Sequence, residues 1–116
     1  MDKLFTHIDI YCERTNNQFW AEPVNACTNI FFVMVGVYLL ITLKKMQATS
    51  KWLKFLAINC IVVGLGSFLF HTFANFLTMW ADILPIMLLI CSTFLYIIRY
   101  IFDISWRVSM LIITLF

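Results

Sequence analysis

Apolar residues run through this chain in long blocks rather than in the narrow stripes of a surface helix, and the charged residues fall mainly in the gaps between blocks. No Asp, Glu, Lys or Arg lies between Glu22 and Lys44, and none between Lys54 and Asp82. About 20 helical residues are needed to cross ~30 Å of hydrocarbon. The uncharged intervals therefore predict spans at about residues 23–43, 55–77 and 82–98. The third opens beside Asp82 with Pro85 in its first turn, where a missing N–H costs little. A fourth apolar run, 108–116, covers about 14 Å, roughly half the hydrocarbon. The pattern predicts an all-α integral membrane bundle with three full transmembrane helices and the start of a fourth. A run ending in mid-span also predicts a truncated portion, a disrupted reading frame or a half that needs a partner.

Composition narrows the class. Of 116 residues, 63% are hydrophobic and 12% charged, with three Gly and two Pro, which is too apolar for a soluble domain of this size. The net charge of +2 is too small to point to nucleic acid. Residues 1–22 form a charged segment with no apolar core long enough for a removable signal peptide. Cys12, Cys27, Cys60 and Cys91 contain no CxxC pair and predict no disulfide framework. Lys44, Lys45, Lys51 and Lys54 occupy one connection without an acid, so that loop is predicted cytoplasmic and the N-terminus outside. Helix two then rises outward, and the region around His71, Asp82 and the acidic N-terminal segment gathers at the outer side.

Two constellations carry chemistry. Ser67 and His71 are four residues apart and share a helix face, with Asp82 beginning the next helix at similar depth. Neutral imidazole ligates zinc, a carboxylate can ligate the ion or hold its water, and a hydroxyl can donate to an oxyanion. The same three residues also suit a His–Asp tether between helices, with Ser67 bonded to a backbone carbonyl. The second constellation precedes and enters the first span. Glu13 and Glu22, with nearby Asp9, Thr15 and backbone carbonyls, could form an oxygen-rich calcium-type site. Equally, Glu22 would complement a helix dipole, Pro23 would start the helix, and Phe19 with Trp20 would form an interfacial belt. Asn25 and Asn29, at i and i+4, fit interhelical hydrogen bonding.

Taken together, Tyr11-Cys-Glu-Arg-Thr15, Trp20-Ala-Glu-Pro-Val-Asn-Ala26 with Asn29, Gly66-Ser-Phe-Leu-Phe-His71 and Asp82-Ile-Leu-Pro-Ile-Met87 resemble the alkaline ceramidase family. That family is part of a group of seven-helix membrane hydrolases that includes progestin and adiponectin receptor-like proteins. The resemblance covers residue 9 to the end and corresponds to the first half of a typical member. It implies zinc-dependent hydrolysis of the amide bond of ceramide or a related N-acyl lipid. By that likeness His71 is a zinc ligand, Asp82 holds the zinc-bound water and Ser67 stabilises the oxyanion. Of the family's calcium motif, Glu13 and Glu22 match, and Tyr11 could contribute its carbonyl. Ile10 stands where an Asp is expected, with Asp9 one place earlier, and Thr15 stands where an Asn is expected.

The family's other zinc ligands come from a His-x-x-x-His pair in the last helix, and this chain has only His7 and His71. His7 reads as a solvated surface residue. The chain alone is therefore expected to hold an incomplete site and to be inactive. The alternative is a non-catalytic receptor-like or assembly subunit. Because Asn25, Ser67, His71 and Asp82 would be costly in lipid, self-association or a missing C-terminal half is expected as partner. The bacterial flavour of the Glu-Pro-x-Asn unit points to a bacterial inner membrane.

Overall fold

The computed structural model describes residues 2–115, so Phe116, the last residue of the fourth apolar run, lies outside the described residues. After a short 3-10 turn at Asp2–Phe5, the chain forms α1 (Pro23–Thr28), α2 (Ile30–Lys45), α3 (Lys51–Phe73), α4 (Phe76–Tyr96) and α5 (Trp106–Leu115). Among the described residues there is no strand, only a single antiparallel bridge between His7 and Asn75. Three helical stretches, Pro23–Lys45, Lys51–Phe73 and Phe76–Ile101, are long and apolar enough to cross a membrane. The chain is a helical membrane protein.

Helices α1 and α2 are nearly one helix. Asn29, between them, keeps helical angles (φ −65°, ψ −17°), but its side chain donates to the Asn25 carbonyl at 2.8 Å, competing with the helical ladder. The predicted interhelical role of Asn25 and Asn29 is thus replaced by bonds within their own stretch, since the Asn25 amide also turns back, to Glu22. Lys44 and Lys45 close α2, where cations favour the carbonyl end of the helix. Ser50 opens α3 by accepting from the Leu53 N–H.

The second predicted boundary moves. Helix α3 begins at Lys51, not 55, and stops at Phe73 because Ala74 takes a left-handed conformation (φ 42°). Asn75 then starts α4 through a capping box with Thr78. Asp82 consequently lies in the second turn of α4 rather than at its start. Pro85 lies inside the helix, not in the first turn. A proline there leaves the Ala81 carbonyl without its usual N–H partner. Gly66 of α3 packs directly on that carbonyl: a Cβ at Gly66 would stand 2.1 Å from the Ala81 oxygen. The Pro85 carbonyl, in turn, accepts from the Asn59 amide of α3 at 3.4 Å.

Helix α3 lies between α2 and α4 and packs on both. Its most apolar stretch is 44% buried, against 17% for each of its neighbours, which makes it the centre of the bundle. Small residues permit the close approach, with Gly36 against Ala57 and Gly64 against the Asn29 carbonyl. At the lysine-loop end, Trp52, Tyr96, Tyr100 and Trp106 cluster, with Arg99 over the Tyr100 and Trp106 rings, the aromatic and basic mixture of a membrane interface.

Candidate functional site

At the opposite end of α3 the N-terminal segment folds over the α3–α4 junction. The Ile8 N–H donates to the Ala74 carbonyl at 2.7 Å, which pins this segment beside the left-handed residue. His7 is half-buried there, its Nε2 enclosed without a hydrogen-bond partner, rather than a solvated surface side chain. Phe19 stacks edge-on to Phe73 and Trp20 to Phe68, so the predicted interfacial pair also covers α3.

Beneath this cover Glu22 joins two partners. Its Oε1 accepts from Arg14 Nε at 2.5 Å and its Oε2 lies 2.6 Å from His71 Nδ1. Burial works against the charged form, but hydrogen bonds from His71, Arg14 and Asn25 outweigh it and hold the Glu22 carboxyl below the usual glutamate range. Because an ionised carboxylate only accepts, the pairing makes Nδ1 the proton-bearing nitrogen of His71 and, in the neutral ring, leaves the lone pair of Nε2 to accept a hydrogen bond or ligate an ion. The Tyr11 ring meets His71 edge-on with centroids 4.9 Å apart. Burial, then the carboxylates of Asp82 and Glu22, raise the Tyr11 phenol above its ordinary value.

Ser67 and His71 of α3 and Asp82 of α4 are all buried. The Asp82 carboxylate lies within electrostatic range of Ser67 and His71. One carboxylate oxygen, Asp82 Oδ1, is nonetheless buried with no hydrogen-bond partner. An orphaned carboxylate oxygen inside a membrane bundle calls for a water, an ion or a substrate donor.

A model of the ceramidase family matches residues 7–116. The chain belongs to the ceramidase family. Comparison with curated proteins finds no match, and comparison with solved structures finds none.

The metals implied by this ceramidase likeness can be tested against the side chains. Among the described residues, no three His, Cys, Asp or Glu side chains group so as to hold a metal ion. His71 Nε2 and Asp82 Oδ1 are two donors, and a catalytic zinc takes three protein ligands, so these residues alone do not fit it. The calcium set fits no better. Glu13 is spent as the cap of α1, accepting from Val24 and Asn25 N–H at 2.7 and 3.0 Å, the role that the sequence assigned to Glu22. The Tyr11 carbonyl accepts from the Arg14 N–H, and Asp9 and Thr15 are exposed.

Arg14 is the residue that sequence reasoning missed. It is 4% exposed and its Nη2 donates to the His71 carbonyl at 3.0 Å. The available signal was one of only two bases in an acidic segment, eight residues before Glu22. Nothing local shows that the two meet at the end of a helix 57 residues away.

Proposed function

We propose that this chain carries part of the site of a zinc-dependent amidohydrolase acting on ceramide or a related N-acyl lipid. The observation that carries the reading is Asp82 Oδ1, buried and unpartnered beside Ser67 and His71. In amide hydrolysis, water adds to the carbonyl carbon, the carbonyl oxygen becomes an oxyanion, and the C–N bond breaks as nitrogen takes up a proton. Asp82 Oδ1 is suited to accept a hydrogen bond from the attacking water and align it. The Ser67 hydroxyl is suited to donate to the oxyanion. Glu22 fixes the ring of His71 through Nδ1, so that Nε2 is held in one place. An apolar groove of about 360 Å³ between the α1–α2 stretch and α3, lined by Ala26, Cys27, Gly64 and Phe68 among others, has the lining that a lipid tail requires.

The remaining ligands are proposed to come from a His-x-x-x-His segment outside these 116 residues, and the chain alone is inactive. The lysine bias supports an outer N-terminal segment and a cytoplasmic Lys44 to Lys54 loop, and the likeness of the Glu-Pro-x-Asn unit to bacterial members supports a bacterial inner membrane. Purified alone in detergent, the chain is expected to hold less than stoichiometric zinc and to release no fatty acid from a ceramide analogue. Co-expressed with a family C-terminal half that bears the histidine pair, it should gain stoichiometric zinc and release fatty acid, with both lost in His71→Ala. Release by the chain alone would overturn the split site, and a folded pair that never cleaves would overturn the hydrolase reading. The second reading, a non-catalytic assembly subunit, draws on the lack of a three-ligand group among the described residues. A non-cleaving pair would favour it.

A further inference from the structure

Four oxygens, from the N-terminal segment, the start of α1 and the end of α3, converge on one buried cation, and that cation is a side chain. Arg14 Nε donates to Glu22 Oε1 at 2.5 Å and Nη2 to the His71 carbonyl at 3.0 Å. Nη1 reaches the carbonyls of Asn16 and Gln18 at 3.4 and 3.5 Å. The side chains of Arg14 and Glu22 are 1% and 2% exposed. A carboxylate with three carbonyls around an enclosed space is the donor chemistry of a hard-cation site. Here the guanidinium meets it with all three of its nitrogens engaged, as its planar fork allows.

A divalent ion has little left to bind. Glu13 is held by the α1 N-terminus, and Glu22 is shared between Arg14 and His71. An ion entering the cage would also meet the fixed positive charge of Arg14 at contact distance, away from the screening of bulk water. We infer that Arg14 is the resident cation of this site. Its guanidinium stands where a divalent ion would be held, clamps the N-terminal segment to the end of α3, and makes that clamp independent of calcium.

The inference does not rest on the hydrolase reading, and its test needs no activity. The 116-residue chain in detergent is melted with calcium chloride and with a calcium chelator. The two melting midpoints should coincide and calorimetry should show no calcium binding. Stoichiometric calcium binding that raises the wild-type midpoint would overturn the proposal. Arg14→Ala should lower the midpoint by on the order of 10 °C, since a buried carboxylate loses its counter-charge. It should also gain what the wild type lacks, a rise of midpoint with millimolar calcium or methylguanidinium. Arg14→Lys should recover only part of the loss, because one ammonium cannot span both Glu22 and the His71 carbonyl. If Arg14→Ala does not fold, Arg14→Gln, which keeps polar contacts without the charge, carries the calcium arm. A variant that melts like the wild type overturns the clamp, and an opened cage that answers to neither cation overturns the cage.

Discussion

Where the N-terminal segment covers the α3–α4 junction, contact is made by charges buried against each other. Along the α2–α3 and α3–α4 seams, contact is made by the lack of side chains. Glu22, Arg14 and His71 hold the first region through an ion pair and directed hydrogen bonds. Gly36, Gly64 and Gly66 hold the second by letting backbone meet backbone. The two regions fail in opposite ways. In the polar cap, removing atoms strands a partner in a place without water. In the seam, adding an atom forces helices apart. Lipid tails give helices no hydrophobic reason to associate, so the seam depends on close packing and the cap on satisfied polar groups.

The largest effect should come from the cap. Glu22→Ala leaves the Arg14 guanidinium buried without its carboxylate and should cost about 3–5 kcal/mol, read as a shift in the denaturation midpoint in detergent. Gly66→Ala should cost less, about 1–3 kcal/mol as overpacking usually does, because α4 must retreat from the new methyl. It should also displace Asp82 from Ser67, so a crosslink between cysteines placed on the outer ends of α3 and α4 should slow. If Gly66→Ala proves worse than Glu22→Ala, the ranking of the two regions reverses.

The mildest probe is acid. The Glu22 carboxyl lies below its ordinary range in the folded chain, so as pH falls the unfolded state takes up the proton first, near 4.3. The stability Glu22 contributes is complete above that pH and is lost as pH falls through the lower folded value. A melting series from neutral pH to below ~4 should show this decline in the wild type, and the same portion of the slope should be missing in Glu22→Gln. Equal slopes in both would mean that Glu22 is not held in its charged form.

Sequence-level reading worked where a property is additive along the chain. Hydropathy sums over a window, so three crossing helices and the apolar α5 could be read directly. It slipped where one residue type carries two meanings. The charge of Asp82 predicts a boundary, whereas Asn75 with Thr78 carries the actual start signal. A capping box is a local hydrogen-bond pattern that an apolarity count passes over. Glu13 and Glu22 were both legible as acids at a helix start, but which one caps and which one pairs is settled by reach. Glu13 folds back on Val24 and Asn25, and Glu22 turns inward to Arg14 and His71.

The sequence by itself determined the membrane class and the family, since hydropathy adds over a window and the family's motifs are short stretches of chain. Only the tertiary structure decided that Arg14 is the cation of the site, that Pro85 and Gly66 meet through the Ala81 carbonyl, and that Asp82 keeps an unpartnered oxygen. Each of these depends on angstrom-scale contact between segments far apart in the chain. Such contacts are set by how helices pack, and composition, periodicity and spacing do not encode them one residue at a time.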